Sequence, residues 1–181
     1  MKVVVPMAEG FEEIEFVTIV DLLRRAGIQV VTAALKEGPV EGSHGIRMMA
    51  DLSLDQVDPR NFDALALPGG YPGFVNLGRD QRVVRLVQEM DRAGKYVTAI
   101  CGAPSVLISA GVVEGRKATI NPAGRDQLSA DQYRSDRVVV DGKMITSQAV
   151  GTAMEFALKL VEVFAGEEAS KKLRAEILAS C

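Results

Sequence analysis

Cys101 is the residue of this 181-residue chain whose type and setting lend themselves most directly to chemistry. It stands in Val97-Thr98-Ala99-Ile100-Cys101-Gly102-Ala103-Pro104, which reads as a strand, a sharp turn and the start of a helix. That is the layout of a nucleophile elbow. Gly102 and Ala103 are small enough for a substrate to approach, and Pro104 suits a first helical position, where its missing N–H is harmless. A thiol placed there lies near the positive end of a helix dipole. Such placement can lower a cysteine pKa from about 8.5 towards about 3.5–7.5, giving a thiolate at neutral pH. Pattern alone equally admits a buried structural cysteine at a strand end, since free cysteine is among the most buried residue types.

Two other segments carry groups that can assist a thiolate. Pro68-Gly69-Gly70 follows an apolar run, and Tyr71-Pro72-Gly73 prolongs the loop. Glycines there permit unusual dihedrals and turn backbone N–H groups towards a ligand. Together with Gly102 they can supply donors to an oxyanion, although an ordinary strand-to-helix turn has the same composition. Gly10-Phe11-Glu12-Glu13-Ile14-Glu15 opens a helix. Glu12 and Glu13 read as solvated, dipole-favourable surface acids. Glu15 has Ile19 and Leu22 one and two turns on, so its carboxyl either points into apolar surroundings, where burial raises its pKa and keeps it protonated, or stays in water. His44, the one histidine, lies in a different stretch and reads as a surface or interface residue. A cysteine hydrolase needs a histidine base beside its thiol, and none follows Cys101. Cys181 is expected to be frayed and without a role.

The elements that must position these groups alternate. Val3 to Val5, Ile28 to Ala34, Phe62 to Leu67 and Tyr96 to Ile100 read as buried strands, and Lys117 to Ile120 as a short one. Glu13 to Ala26, Asp80 to Ala93, Pro104 to Ala110, Thr152 to Ala165 and Glu167 to Leu178 read as helices, the first stopped by Gly27. Gly38 to Asp51 is a hairpin or irregular excursion. Asp141-Gly142-Lys143 joins two apolar runs, Val138 to Val140 and Met144 to Thr146, as a hairpin. This order predicts an α/β fold: a mostly parallel, doubly wound sheet with helices on both faces and antiparallel strands at one edge. In such sheets the site lies beyond the carboxyl ends of the strands, which selects Ala8 to Glu15, Pro68 to Gly73 and Cys101 to Pro104.

Composition sets the outer limits. The length fits one domain, residues 1–181, with a substantial core. The 21 basic and 24 acidic residues are scattered, so nothing favours nucleic acid as a partner. No apolar run approaches the length of a membrane span, and the N-terminal residues lack a signal-peptide layout, so a cytoplasmic protein is expected. Two cysteines and one histidine argue against a disulfide framework or a multi-histidine metal site. No glycine-rich phosphate loop is present, so no nucleotide cofactor is expected.

At this point the chain resembles the ThiJ/PfpI superfamily, and within it the DJ-one branch. The resemblance rests on Ala8-Glu9-Gly10-Phe11-Glu12-Glu13-Ile14-Glu15, Leu67-Pro68-Gly69-Gly70, Ala99-Ile100-Cys101-Gly102-Ala103-Pro104, and Thr146 followed by Gly151-Thr152 and Glu155-Phe156-Ala157-Leu158. It implies a three-layer flavodoxin-like sandwich, usually a homodimer, with no cofactor. It implies that Cys101 is the nucleophile and oxidation-sensitive thiol and that Glu15 is its buried, protonated partner. Gly69, Gly70 and Gly102 would supply or shape backbone donors. The activity implied is glyoxalase or deglycase action on small 2-oxoaldehydes such as methylglyoxal and glyoxal; the alternative is an oxidative-stress sensor or chaperone whose cysteine is oxidised to sulfinic acid. The chain departs from the pattern at Asn121, where several relatives carry a histidine; asparagine orients a carbonyl but cannot shuttle a proton near neutral pH. Protease-like members place a histidine directly after the cysteine, where Gly102 stands here, so peptidase activity is not expected.

Overall fold

The computed structural model describes residues 1–180. Its seven-stranded sheet contains β1 (Lys2–Met7), β2 (Gln29–Ala34), β5 (Leu52–Ser53), β6 (Ala64–Leu67), β7 (Tyr96–Ile100), β8 (Val138–Asp141) and β9 (Met144–Ser147). The spatial order is β5-β2-β1-β6-β7-β9-β8. Every neighbouring pair is parallel except β8 with β9 at the edge. A separate two-stranded antiparallel ribbon pairs β3 (Val40–Glu41) with β4 (Arg47–Met48). The helices are α1 (Glu13–Arg25), α2 (Gly73–Arg79), α3 (Gln81–Arg92), α4 (Pro104–Ser109), α5 (Ala153–Ala165) and α6 (Glu167–Glu176).

Alternation along β1 explains the layering. Val3, Val5 and Met7 join one core cluster with Phe16, Ile19 and Leu23 of α1 and Phe156 and Leu160 of α5. Val4 joins a second cluster with Val83, Val87 and Met90 of α3 and Leu107 of α4. Because successive strand residues point to opposite faces, a strand with helices on both sides must be apolar throughout, as β1 is. The result is a doubly wound α/β sandwich.

The departures from the sequence reading are local. Lys117 to Ile120 forms no ladder; Ala118 makes one isolated bridge to Tyr133. Its neighbour Thr119 donates its backbone N–H to the Thr146 hydroxyl instead of to a strand. The run from Phe62 pairs only from Ala64, because the residues before it close a 3-10 turn at Pro59–Asn61. Helix α2 arises where the sequence assigns a loop up to Gly73 and no element beyond it: Gly73 and Gly78 weaken the helical signal that Phe74 and Leu77 carry by their spacing. Cys181 lies outside the described residues.

Strand order brings the three selected loops together. The chain leaves β1 towards β2 on one side, and β6 and β7 lie on the other, so the order reverses between β1 and β6. At the carboxyl ends, Glu12 N donates to Gly69 O at 3.0 Å and Gly73 N to Gly10 O at 3.1 Å, tying the loop after β1 to the loop after β6. The loop after β7 is held at both sides: Cys101 N donates to Ser147 O at 3.0 Å, and Cys101 O accepts from Asn121 N at 2.9 Å.

Candidate functional site

Cys101 adopts φ +65°, a left-handed conformation that a side chain enters only under strain. It occupies the turn between β7 and α4, and Pro104 takes the first position of α4. The strain turns the sulfur out of the strand and towards the neighbouring loops. Backbone N–H groups of Gly70 and Gly102 face it. The Asn121 Nδ2 group donates to Sγ at 3.7 Å. Its orientation is fixed because Oδ1 of the same amide accepts from Ala123 N at 3.0 Å, capping a 3-10 turn at Pro122–Gln127.

Glu15 lies on the first turn of α1 and is fully buried. Its Oε2 accepts from Gly69 N at 2.8 Å. Among the described residues, Oε1 is the buried side-chain oxygen or nitrogen without a hydrogen-bond partner. The group with which the carboxyl can share a proton is the Cys101 thiol. Burial raises the Glu15 pKa to about 7, partly offset by the Gly69 N–H and by Cys101, with the charge of Glu12 adding to the rise. Gly69 is required by close approach: a Cβ there would lie 2.6 Å from Cys101 Cβ and 2.7 Å from Glu15 Oε2.

The dipole-lowered thiol expected from the sequence is not found. Burial pushes the Cys101 pKa up to about 11, the charge of Glu15 and its hydrogen bond add to this, and the N–H groups of Gly102 and Gly70 oppose it. Helix α4 has only six residues, and its dipole does not outweigh desolvation beside a carboxylate. At neutral pH the pair therefore holds its proton on sulfur whenever Glu15 is ionised, and the carboxylate is the base placed to remove it.

Glu12 and Glu13 are not solvated surface acids; both are buried. Ser43 donates to both carboxylates at 3.2 and 3.3 Å, and Glu13 also takes backbone N–H groups of His44 at 2.7 Å and Ile46 at 3.3 Å. Although burial pushes the Glu13 carboxyl up, the His44 side chain and these N–H groups hold it down at about 2. The exposed His44 ring lies 3.0 Å from Glu13 and 3.3 Å from Glu12, which raises its own pKa. The donor atoms of Glu12, Glu13 and His44 lie within 4.8 Å of one another, the spacing of a cation site, but the hydrogen bonds already occupy the Glu13 oxygens. His44 does not line the cavity beside Cys101, so within the chain it is not the thiol's base.

That cavity has a volume of about 290 Å3 and is bounded by Gly70, Cys101, Gly102 and Asn121 on the reactive side. Tyr71, Phe74, Ile120 and Gln127 form much of the remainder. Of the six residues singled out in the sequence, Cys101, Gly70, Gly102 and Asn121 line the cavity, while Glu15 and Gly69 lie beside the thiol without lining it. Tyr71 lies in the loop selected from the sequence, whereas Phe74 and Gln127 were not singled out; the legible signal for Phe74 is its spacing of three residues from Leu77 on α2.

Comparison with known proteins places the chain in a family. Residues 1–163 match the DJ-1/PfpI family. The chain is 41% identical over 174 residues to DJ-1 homolog A of Arabidopsis thaliana, covering 95% of this chain but 44% of that relative. A deglycase of Thermococcus kodakarensis is 36% identical, over 90% of this chain and 99% of the relative. A glutathione-independent glyoxalase of Caenorhabditis elegans is also 36% identical, over 91% and 89%. Among solved structures, oxidised DJ-1 of Toxoplasma gondii superposes with a TM-score of 0.96 at 38% identity, covering 99% of both chains. No helix among the described residues is long and apolar enough to cross a membrane. A thiol on a strained turn, a buried acid beside it and a family match across most of the sequence lead to one assignment: the chain belongs to the DJ-1/PfpI family.

Proposed function

We propose that the chain converts small 2-oxoaldehydes such as methylglyoxal and glyoxal to hydroxy acids without glutathione, through Cys101 and Glu15. The observation that carries this reading is the pairing of the two groups: an acid shifted to about 7 touches a thiol shifted to about 11. Near neutral pH much of Glu15 is carboxylate and takes the thiol proton as sulfur adds to the aldehyde carbon. The hemithioacetal oxygen is met by the N–H groups of Gly70 and Gly102 and by Asn121 Nδ2. Glu15 returns the thiol proton to the hemithioacetal oxygen and, ionised again, takes the hydrogen of the former aldehyde carbon as a proton, which it then delivers to the adjacent carbon of the enediol. Water hydrolyses the resulting thioester and frees the thiol. Substrate and water together give the hydroxy acid, with no external oxidant or reductant.

Names carried by two relatives, a deglycase and a glutathione-independent glyoxalase, support the reaction class. Purified protein is expected to form lactate from methylglyoxal without added thiol, and Cys101→Ser to abolish it. Equal rates in the two proteins would end the proposal. The oxidised state of the Toxoplasma relative favours a second reading, in which peroxide converts Cys101 to sulfenic and then sulfinic acid beside a protonated Glu15. Selective oxygen addition at Cys101 without aldehyde turnover would prefer that reading. We further propose a cytoplasmic homodimer, with residues 1–181 acting as one domain. Ile14 and Val17 on α1, with Ile46 and Met49 beside β4, supply exposed apolar side chains for such an interface.

A further inference from the structure

The reacting atoms occupy part of the cavity's lining, and the rest of the lining differs in character. Tyr71 and Phe74 form a tilted ring pair with centroids 6.3 Å apart. The Phe74 ring covers Gly102 so closely that a Cβ at that glycine would come within 2.5 Å of it. Ile120, Ala123 and Gly124 continue the apolar surface, with Gln127 as an uncharged amide. Apart from the thiol, none of the residues lining the cavity is ionisable below the range of tyrosine.

Size and charge together define what fits. A volume of about 290 Å3 is many times what a single water needs, so the cavity has room beyond a molecule as small as methylglyoxal. With its aldehyde carbon at Sγ and its oxygen on the Gly70, Gly102 and Asn121 donors, methylglyoxal presents only a methyl group to the Tyr71 and Phe74 rings. A carbonyl carrying a ring in place of the methyl group covers those rings. A carboxylate on the same ring meets no lysine, arginine or histidine among the lining residues, so nothing there offsets the hydration it gives up on entry.

Resting on the proposed reaction at Cys101, we propose that the cavity selects uncharged 2-oxoaldehydes with an aromatic or bulky apolar substituent over methylglyoxal, and rejects analogues whose substituent bears a carboxylate. The step is unchanged. Sulfur adds to the aldehyde carbon, the hydrogen there moves as a proton to the neighbouring carbon, and water releases the acid, so phenylglyoxal and water give mandelate. The Phe74 ring is a specificity determinant, contacting the substituent and not the reacting atoms.

The test compares kcat/KM for methylglyoxal, phenylglyoxal and 4-carboxyphenylglyoxal, with Phe74→Ala and Phe74→Leu beside the parent. Phenylglyoxal is expected to exceed methylglyoxal by on the order of tenfold, and the carboxylated analogue to lose at least that gain. Phe74→Ala should bring the phenylglyoxal-to-methylglyoxal ratio close to one, while Phe74→Leu, which keeps an apolar wall, should retain part of it. Methylglyoxal turnover with no preference for phenylglyoxal overturns this inference and leaves the proposed reaction standing. If no aldehyde is turned over, the proposed reaction falls. Selectivity is then read from brief protection of Cys101 against iodoacetamide, followed by intact mass. Protection by phenylglyoxal at tenfold lower concentration than methylglyoxal upholds the selectivity; equal protection refutes it.

Discussion

Replacing Glu15 with glutamine should make the protein more stable in alkaline solution and change how its stability responds to pH. The carboxyl has a pKa of about 7 in the folded chain against 4.5 for the ordinary group, chiefly because burial penalises its charge. Its neutral form therefore favours the native state. That contribution is complete below about 4.5 and is lost as pH rises through about 7. The gap between the two values corresponds to about 3 kcal/mol. Roughly 1 kcal/mol of it is gone at about pH 5.5 and nearly all by about pH 8.5, so the parent should lose about 2 kcal/mol across that interval relative to Glu15→Gln. Glutamine keeps the size of the side chain and an oxygen for the Gly69 N–H, and its amide supplies N–H groups where Oε1 lacks a partner. Urea unfolding at the two pH values gives the difference directly, and repeating it in a Cys101→Ala background removes the thiol's titration. A stability difference between parent and variant that stays constant across the interval would refute the assignment of Glu15 as a buried acid of raised pKa.

Three further expectations follow from the same geometry. Glu13→Gln should destabilise at neutral pH, since a pKa of about 2 means the carboxylate stabilises the fold above 4.5 and ceases to as pH falls through about 2. Allowing for solvent screening at exposed His44, the loss should be about 1–2 kcal/mol by urea unfolding and should shrink in acid. Gly69→Ala should cost about 1–3 kcal/mol through its clash with Cys101 and Glu15 and should remove aldehyde turnover, read by thermal melting and lactate formation. Iodoacetamide alkylation of Cys101 should climb only in alkaline solution, and Glu15→Gln should move its midpoint to lower pH by removing the neighbouring charge; an unchanged midpoint would contradict the pairing.

Much of the site was written in the sequence because its parts are backbone-driven. The elbow at Cys101 needs small residues after a buried strand, and the glycine pair at Gly69-Gly70 marks a loop against which other groups close. These are local signals. The continuous apolar run that lets β1 face helices on both sides was equally plain in Val3, Val4 and Val5. What escaped was decided by tertiary surroundings. Glu12 and Glu13 carry charges that suit solvent, and only the return of the Ser43–Ile46 segment over the start of α1 buries them with donors. The raised thiol pKa likewise depends on desolvation and on how close Glu15 comes, neither of which can be read from spacing. Lys117 to Ile120 has the composition of a strand but finds hydroxyl and loop partners where a ladder would need a neighbouring edge.

The left-handed backbone at Cys101 means that the protein tolerates at this position a residue it would be more stable without. Glycine fits that conformation freely, and relieving the strain would return about 1 kcal/mol of folding free energy. Branched residues such as valine would fail there for reasons unconnected with sulfur, so serine and alanine, which keep the Cβ, are the informative replacements. The position is thus a small standing sacrifice of robustness in exchange for the direction in which one sulfur atom points.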